Sequence, residues 1–259
     1  MPIRLCRPPC KAEVKNLIKK ISPDLLIHCA GLVNIDRCED SPQSAIEQKV
    51  LLTKNVVQAL EEKTKVVYIS SDQVYGDISP KREEQQKLTP KNVYGETKLA
   101  GEGVVLSHGP KNVVIRTNVI GVRPKTDHAS FAEWVMHALH DKQPIPLFTD
   151  YIFSPIYGPH LGGIIWRLFG LDFRGIINVG SLNPCSKYEF GRAIATAGGF
   201  DERMLRRASV EDLGRSPLRP KDISLNVDKL ISLGITPPTY QESARKVLKD
   251  YLKRGAAPA

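Results

Sequence analysis

Three short apolar runs, each closed by small or polar residues, recur through the first half of the sequence. Residues 25–29 (Leu-Leu-Ile-His-Cys) give way to Ala30-Gly31, residues 66–69 (Val-Val-Tyr-Ile) to Ser70-Ser71-Asp72, and residues 113–115 (Val-Val-Ile) to Arg116-Thr117-Asn118. Between them the apolar residues change to helical spacing: Ala45, Ile46, Val50, Val56, Ala59 and Leu60 in the first interval, Tyr94, Leu99 and Val104 in the second. A continuous apolar run of this length reads as a strand covered on both faces, and parallel strands need a long crossover that is usually a helix. The alternation therefore predicts an α/β fold, a Rossmann-like doubly wound parallel sheet with right-handed crossovers. Ligands of such sheets bind beyond the carboxyl ends of the strands, so the three closing segments are expected to gather around one cleft.

The flanking segments fit this frame. Val14, Leu17, Ile18 and Ile21 share helical spacing with lysines between them, which predicts an amphipathic helix over residues 11–21. Ser41-Pro42 opens the helix that precedes the second strand. Beyond Gly121-Val122-Arg123-Pro124 the periods are less regular: a helix through Phe131, Trp134, Val135, Ala138 and Leu139, an extended piece over 144–147, and a strand over 175–179. Ser186-x-x-Glu189 is a capping box for a further helix, and Ala244, Val247, Leu248 and Tyr251 line one face of the last, after which residues 255–259 are expected to fray. Residues 1–121 are read as the part that carries the parallel sheet, and residues 122–259 as a smaller lobe over the cleft, partly intermingled with the sheet. His28 is expected to be a satisfied core residue, and Trp134 and Trp166 to pack in the core or the lobe.

Composition narrows the function classes. With 41% hydrophobic residues in 259 the chain can build a sizeable core. No apolar stretch approaches the length of a membrane span and the first residues lack a secretory pattern, so no membrane partner and a cytoplasmic address are expected. Five scattered cysteines do not form a disulfide framework, and Cys6 and Cys10 have no second pair at zinc spacing, so no metal is expected. The 37 Lys and Arg against 28 Asp and Glu give +9, spread along the chain and not gathered into an aromatic-studded stripe. That pattern suits an anionic small molecule such as a nucleotide better than nucleic acid.

The chemistry concentrates between residues 66 and 98. Tyr94 and Lys98 lie one turn apart on a helix, so phenol and ammonium face the same way. A tyrosine titrates near pH 10 unless a cation favours its phenolate, and Lys98 is placed to do so. A hydroxyl from Ser71 at the strand end suits a substrate carbonyl. Asp72 and Asp150 read as loop or turn carboxylates, and Arg219-Pro220 as either a phosphate grip or a lobe contact.

These pieces together resemble the extended short-chain dehydrogenases/reductases, and within them the dTDP-4-dehydrorhamnose reductase family. The resemblance is carried by Pro23-Asp24-Leu25-Leu26-Ile27-His28-Cys29-Ala30-Gly31, Cys38-Glu39-Asp40-Ser41-Pro42 and Val67-Tyr68-Ile69-Ser70-Ser71-Asp72-Gln73-Val74-Tyr75. Val93-Tyr94-Gly95-Glu96-Thr97-Lys98-Leu99-Ala100-Gly101-Glu102, Arg219-Pro220-Lys221-Asp222-Ile223-Ser224-Leu225-Asn226 and Lys229-Leu230 complete it. It implies NAD(P)H-dependent reduction of the C4 keto group of a nucleotide-linked 4-keto-6-deoxysugar, with NADP or NAD as cofactor. By the same resemblance Ser71, Tyr94 and Lys98 are catalytic; Ala30, Gly31, Ser70, Tyr94, Lys98 and Thr117 meet the cofactor; and Asp72, Gln73, Asn118 and Arg219 meet the substrate. Two alternatives share the motifs: a non-catalytic regulatory subunit similar to the methionine adenosyltransferase β subunit, and a nucleotide-sugar epimerase or dehydratase. A homodimer, or a partner enzyme in the regulatory reading, is the implied assembly. Lys49 stands where the family usually has Asn, and Ile156 where Ser-Pro-Thr is common. The family also opens on a strand and a Gly-x-x-Gly-x-x-Gly turn that holds the pyrophosphate, whereas no glycine precedes Gly31. The sequence is therefore expected to lack more than one βαβ unit, and the strand at residues 25–29 to carry an unpaired edge.

Overall fold

The computed structural model describes residues 11–76, 80–123, 129–213 and 220–254. The three apolar runs become β1 (Leu25–His28), β2 (Lys65–Ile69) and β3 (Val113–Ile120), laid side by side in parallel. The second half adds β4 (Ile145–Phe148), β5 (Ile152–Phe153), β6 (Pro155–Tyr157), β7 (Gly175–Val179), β8 (Cys185–Ser186) and β9 (Leu205–Ala208). Of these, β6 and β7 join the main sheet, both parallel to β3: β7 along Val113 to Thr117 and β6 along Asn118 to Ile120. The pairs β4·β9 and β5·β8 form two small sheets apart from it.

Both faces of the main sheet are covered, as the unbroken apolar runs require. Successive strand residues point to opposite faces. Val66, Tyr68 and Val114 therefore pack against α1 (Lys11–Ile21), α4 (Leu52–Ala59) and α5 (Val93–His108), through Val14, Ile18, Leu52, Val56, Val57 and Val105. The alternate residues Val67, Val113, Ile115 and Ile177 meet the opposite layer, chiefly Leu161, Ile164, Ile165 and Leu168 of α7 (Gly158–Gly170). Each such aliphatic side chain contributes about 1.5–3 kcal/mol on burial, so the sheet is held from both sides. A short α2 (Ile35–Asp40) and α3 (Pro42–Ala45) lead into α4 through a π-helical turn, Ile46–Leu51, centred on Lys49.

The remaining helices build a second core. In it α6 (Phe131–His140), α8 (Lys187–Gly198) and α10 (Tyr240–Lys253) enclose Val135, Met136, Leu139, Phe190, Ile194, Ala244 and Val247 together with Phe153 from β5. Between α8 and α10, α9 (Asp228–Ser232) adds Leu230 to the α7 layer instead. Ser186 and Glu189 form the expected capping box, and His28 is buried with Nε2 2.9 Å from Thr53 Oγ1.

Three expectations are corrected. β1 is not covered on both faces: Ile27 is 45% exposed, because among the described residues β1 pairs only with β2 and lies at the sheet edge. Trp134 and Trp166 are not core residues but 45% and 69% exposed. Trp166 follows Ile165 and so turns about 100° away from the buried stripe of α7, stacking on Phe169 at 5.7 Å. On α1 only Val14 and Ile18 are buried, while Leu17 and Ile21 stay exposed. Residues 255–259, Cys6 and Cys10 lie outside the described residues.

Candidate active site

The site forms where β2 ends and α5 begins. Asn92 caps α5, its Oδ1 accepting from Gly95 N at 2.8 Å, and its Nδ2 donates to Gln73 Oε1 at 3.1 Å. The helix start is thereby fastened to the turn after β2. Gly95 is required by this contact, since a Cβ there would stand 2.5 Å from the carbonyl oxygen of Gln73. Tyr94, in the first turn of α5, is thus delivered to Ser71.

Ser71 is the hub. Its hydroxyl donates to Asp72 Oδ1 at 3.0 Å, its oxygen accepts from Gln73 N at 3.3 Å, and it hydrogen-bonds the Tyr94 phenol. Asp72 is fully buried and its other oxygen accepts from Asn118 Nδ2 at 2.6 Å. Gln73 Nε2 donates to the Tyr151 hydroxyl at 3.1 Å, which joins the lobe to the sheet. Lys98 is buried, gives one N–H to Ile69 O at 2.7 Å and lies 5.2 Å over the Tyr68 ring.

Burial dominates the electrostatics. It pushes the Asp72 carboxyl up to about 6, against the hydrogen bonds from Asn118 and Ser71 and the Lys187 charge. It brings Lys98 down to about 8, assisted by the like charge of Lys49. Tyr94 is raised well above its ordinary range by burial, with the Ser71 bond opposing and the Asp72 charge adding. The expectation that Lys98 holds Tyr94 towards phenolate is therefore corrected. The Lys98 ammonium is engaged at the Ile69 carbonyl, and Tyr94 keeps its proton as a resting acid. The cation seated on the Tyr94 ring is Lys49, 3.8 Å from the centroid.

A cleft of about 650 Å³ opens over this cluster, lined by Cys29, Ser70, Ser71, Asp72, Gln73, Tyr94, Lys98, Thr117 and Asn118 from the strand ends and α5. The gathering at the carboxyl ends is as expected, with two exceptions. Ala30 and Gly31 do not line the cleft; Gly31, at φ +145°, instead packs on the Lys49 stem, where a Cβ would meet Cγ at 3.0 Å. Arg116 turns inward to a buried ion pair with Glu102, Nη2 to Oε2 2.8 Å, and Glu102 also accepts from Ser70 Oγ at 2.5 Å. Arg219 lies outside the described residues. Ile156 is buried in the sheet core. Of the two loop carboxylates, Asp150 caps a loop by accepting from Ser209 Oγ and Val210 N, but Asp72 belongs to the site. Tyr151, Arg123, Leu161 and Ile165 also line the cleft, and no motif marks them. Asn92 is legible as an N-cap residue preceding an apolar helix.

The lining suits a dinucleotide at its nicotinamide end. Thr117 Oγ1 is buried with no hydrogen-bond partner, and an ammonium has three N–H groups of which Lys98 spends one on Ile69. Among the described residues no cluster of His, Cys, Asp and Glu can hold a metal ion, and no helix is long and apolar enough to cross a membrane.

The RmlD substrate binding domain model matches residues 10–253. The chain belongs to that family. It is 28% identical to the dTDP-4-dehydrorhamnose reductase of Mycolicibacterium smegmatis, over 83% of this chain and 66% of that protein. It is likewise 29% identical to the methionine adenosyltransferase 2 subunit beta of Xenopus tropicalis, over 93% of this chain and 74% of that protein. Among solved structures, dTDP-4-dehydrorhamnose reductase from Bacillus anthracis in complex with NADP superposes with a TM-score of 0.88 at 25% identity, covering 96% of this chain and 89% of that one. The fold class is thus that of the Rossmann-like reductases.

Proposed function

We propose that this chain is an NAD(P)H-dependent reductase acting on the C4 keto group of a nucleotide-linked 4-keto-6-deoxysugar. The observation that carries the reading is the hydrogen-bonded cluster of Tyr94, Ser71 and Asp72 beside Lys98 at the floor of the cleft. A carbonyl oxygen seated between Tyr94 and Ser71 receives a proton from a phenol that is fully protonated at neutral pH. Ser71 then serves as second donor to the same oxygen, stabilising the charge that develops there. Lys98 would hold the cofactor's ribose hydroxyls with its remaining N–H groups, and Thr117, whose hydroxyl has no partner among the described residues, would meet the same molecule. When bound, the reduced nicotinamide supplies the hydride. Asp72, Gln73 and Asn118 form a hydrogen-bonded rim for the sugar. In this reading residues 1–121 carry the cofactor and residues 122–259 the substrate lobe, with a nucleotide sugar and not nucleic acid as partner, in the cytoplasm and as a homodimer.

The test is Tyr94→Phe, following loss of NADPH absorbance with a dTDP-linked 4-keto-6-deoxysugar. Turnover should fall by about 10²-fold or more, the worth of a positioned general acid, while NADPH still binds. Unchanged turnover overturns the mechanism. The similarity to a methionine adenosyltransferase subunit favours a second reading, a regulatory subunit. Under it the chain binds dinucleotide, shows no turnover before or after the substitution, and co-purifies with a partner enzyme.

A further inference from the structure

Lys49 is the most anomalous buried group near the site. It is 1% exposed, yet among the described residues no carboxylate lies within ion-pair distance of its Nζ. A buried lysine without a counter-charge is rare, because desolvation is not offset by pairing. Its Nζ is instead distributed over neutral groups: 3.1 Å to Thr97 Oγ1, 3.3 Å to Cys38 Sγ and 3.5 Å to the backbone oxygen of Tyr94. The remaining contact is the face of the Tyr94 ring at 3.8 Å, well inside cation–π range. The backbone is adapted to this placement. Lys49 sits in the π-helical turn Ile46–Leu51, and such turns re-aim side chains at functional sites. The glycine at 31, with positive φ, clears the space for its stem.

We propose that Lys49 is a positioning residue for the reduction, a second cation that clamps Tyr94 over its ring and stabilises the phenolate formed when Tyr94 gives up its proton. The proposal rests on the reading of Tyr94 as the acid. Its physical content is simple. Tyr94 is held protonated by burial and by the negative Asp72, so proton donation creates a phenolate in a low-dielectric pocket. Lys98, tied to Ile69 O, is not directed at the ring. Lys49 is the charge that grows more favourable as the phenolate forms, which is the requirement for a transition-state effect. The groups facing Lys49 are Cys38 from α2, and Tyr94, Thr97 and the like-charged Lys98 from α5. Burial brings Lys49 down to about 8, so it is charged at neutral pH and loses that charge on the alkaline side.

The experiment substitutes Lys49→Met, which keeps the stem and removes the charge, and Lys49→Arg, which keeps the charge. Two readouts are taken on the full chain. The first is the pH dependence of the Tyr94 ring 13Cζ resonance in the ligand-free protein, assigned with Tyr94→Phe. The second is the pH profile of kcat and KM for NADPH and a 4-keto sugar nucleotide. In the unsubstituted chain the Tyr94 resonance should show an inflection near pH 8 as Lys49 loses its charge; Lys49→Met should abolish that inflection and lower kcat by at least tenfold with KM changed by less than threefold, and Lys49→Arg should recover part of kcat. An inflection that persists in Lys49→Met, or a loss confined to KM, overturns the proposal. If Lys49→Met does not fold, the unsubstituted chain and Lys98→Met decide: the Tyr94 resonance should show an inflection near pH 8 that survives loss of Lys98, and its absence from Lys98→Met overturns the assignment. A chain without turnover in which Lys49→Met still abolishes the inflection refutes the reductase reading, and with it a role for Lys49 in reduction, while the charge contact between Lys49 and Tyr94 stands.

Discussion

Replacing Asp72 by asparagine should make the protein more stable at alkaline pH and less able to bind substrate. Burial raises the Asp72 carboxyl from 3.8 to about 6, so the folded chain binds its proton more tightly than the unfolded chain. Between about pH 4 and pH 6 the unfolded state releases a proton that the folded state keeps, and stability therefore declines as pH rises through that window and is level above it. Two decades of proton affinity correspond to roughly 3 kcal/mol of cost at pH 8, of which about 2 kcal/mol develops between pH 4.5 and pH 8. An asparagine cannot ionise and escapes this cost. Its side-chain oxygen still accepts from Asn118, but its amide cannot accept from Ser71, a loss of about 1 kcal/mol whether the parent carboxyl is neutral or ionised.

The informative quantity is the change in the stability difference between the two chains, because the hydrogen-bond loss cancels from it. Urea unfolding of both at pH 4.5 and pH 8 should show the Asp72→Asn variant gaining about 2 kcal/mol relative to the parent on the alkaline side, or about 4–8 °C in Tm for a chain of this size. An equal difference at the two pH values refutes the reasoning, since it would mean that Asp72 is solvated or paired in the folded state. Turnover should fall in the same variant, the usual relation between a strained functional group and stability.

Other consequences follow from neighbouring contacts. Glu102→Gln should destabilise by about 3–5 kcal/mol in urea, because the buried Arg116 is left without its counter-charge; Glu102→Gln combined with Arg116→Met should recover much of that, and no recovery would count against the pair. Gly95→Ala should lower turnover more than tenfold while leaving most of the stability, because its Cβ displaces the Gln73 carbonyl and with it the Ser71–Tyr94 bond; parental activity would refute that close approach. Cys29, exposed in the cleft, should be alkylated by a maleimide at a rate that saturating NADPH reduces several-fold, measured by peptide mass spectrometry; an unchanged rate would place the dinucleotide elsewhere.

The parts of the fold that the sequence reveals are those where one period governs both local structure and burial. Residues 66–69 are apolar without interruption because β2 is covered by α5 on one side and α7 on the other, and the same reasoning places β3 and β7. At residues 25–29 the expected unpaired edge is present among the described residues, but the expected cover on both faces is not, since periodicity reports what a strand can bury and not what stands against it. The two tryptophans fail for a related reason: a bulky aromatic weighs as core in composition, whereas its phase on the helix decides, and Trp166 is one step past the buried stripe. Ser71, Tyr94 and Lys98 are legible because strand end and helix start fix them in space. Tyr151 and Arg123 are not, because they arrive from loops whose positions depend on the whole lobe.

The electrostatics of the site are least visible of all, and they alter its chemistry. Tyr and Lys one turn apart suggest a cation lowering a phenol, a local argument that holds for an exposed helix. In the folded chain the Lys98 amine meets the Ile69 carbonyl first, since a strand ends beneath it, and Tyr94 is left to burial and Asp72, both of which strengthen its hold on the proton. A phenol so held is a poor base but a protonated, well-oriented acid, which matches the direction in which hydride is added and a proton is consumed. The compensating cation then has to come from another element, and Lys49 reaches the ring from a π-helical turn some 45 residues earlier. The sequence position of Lys49 carries no local sign of this, because the contact is made by a helix distortion and a glycine that only the packed layer explains.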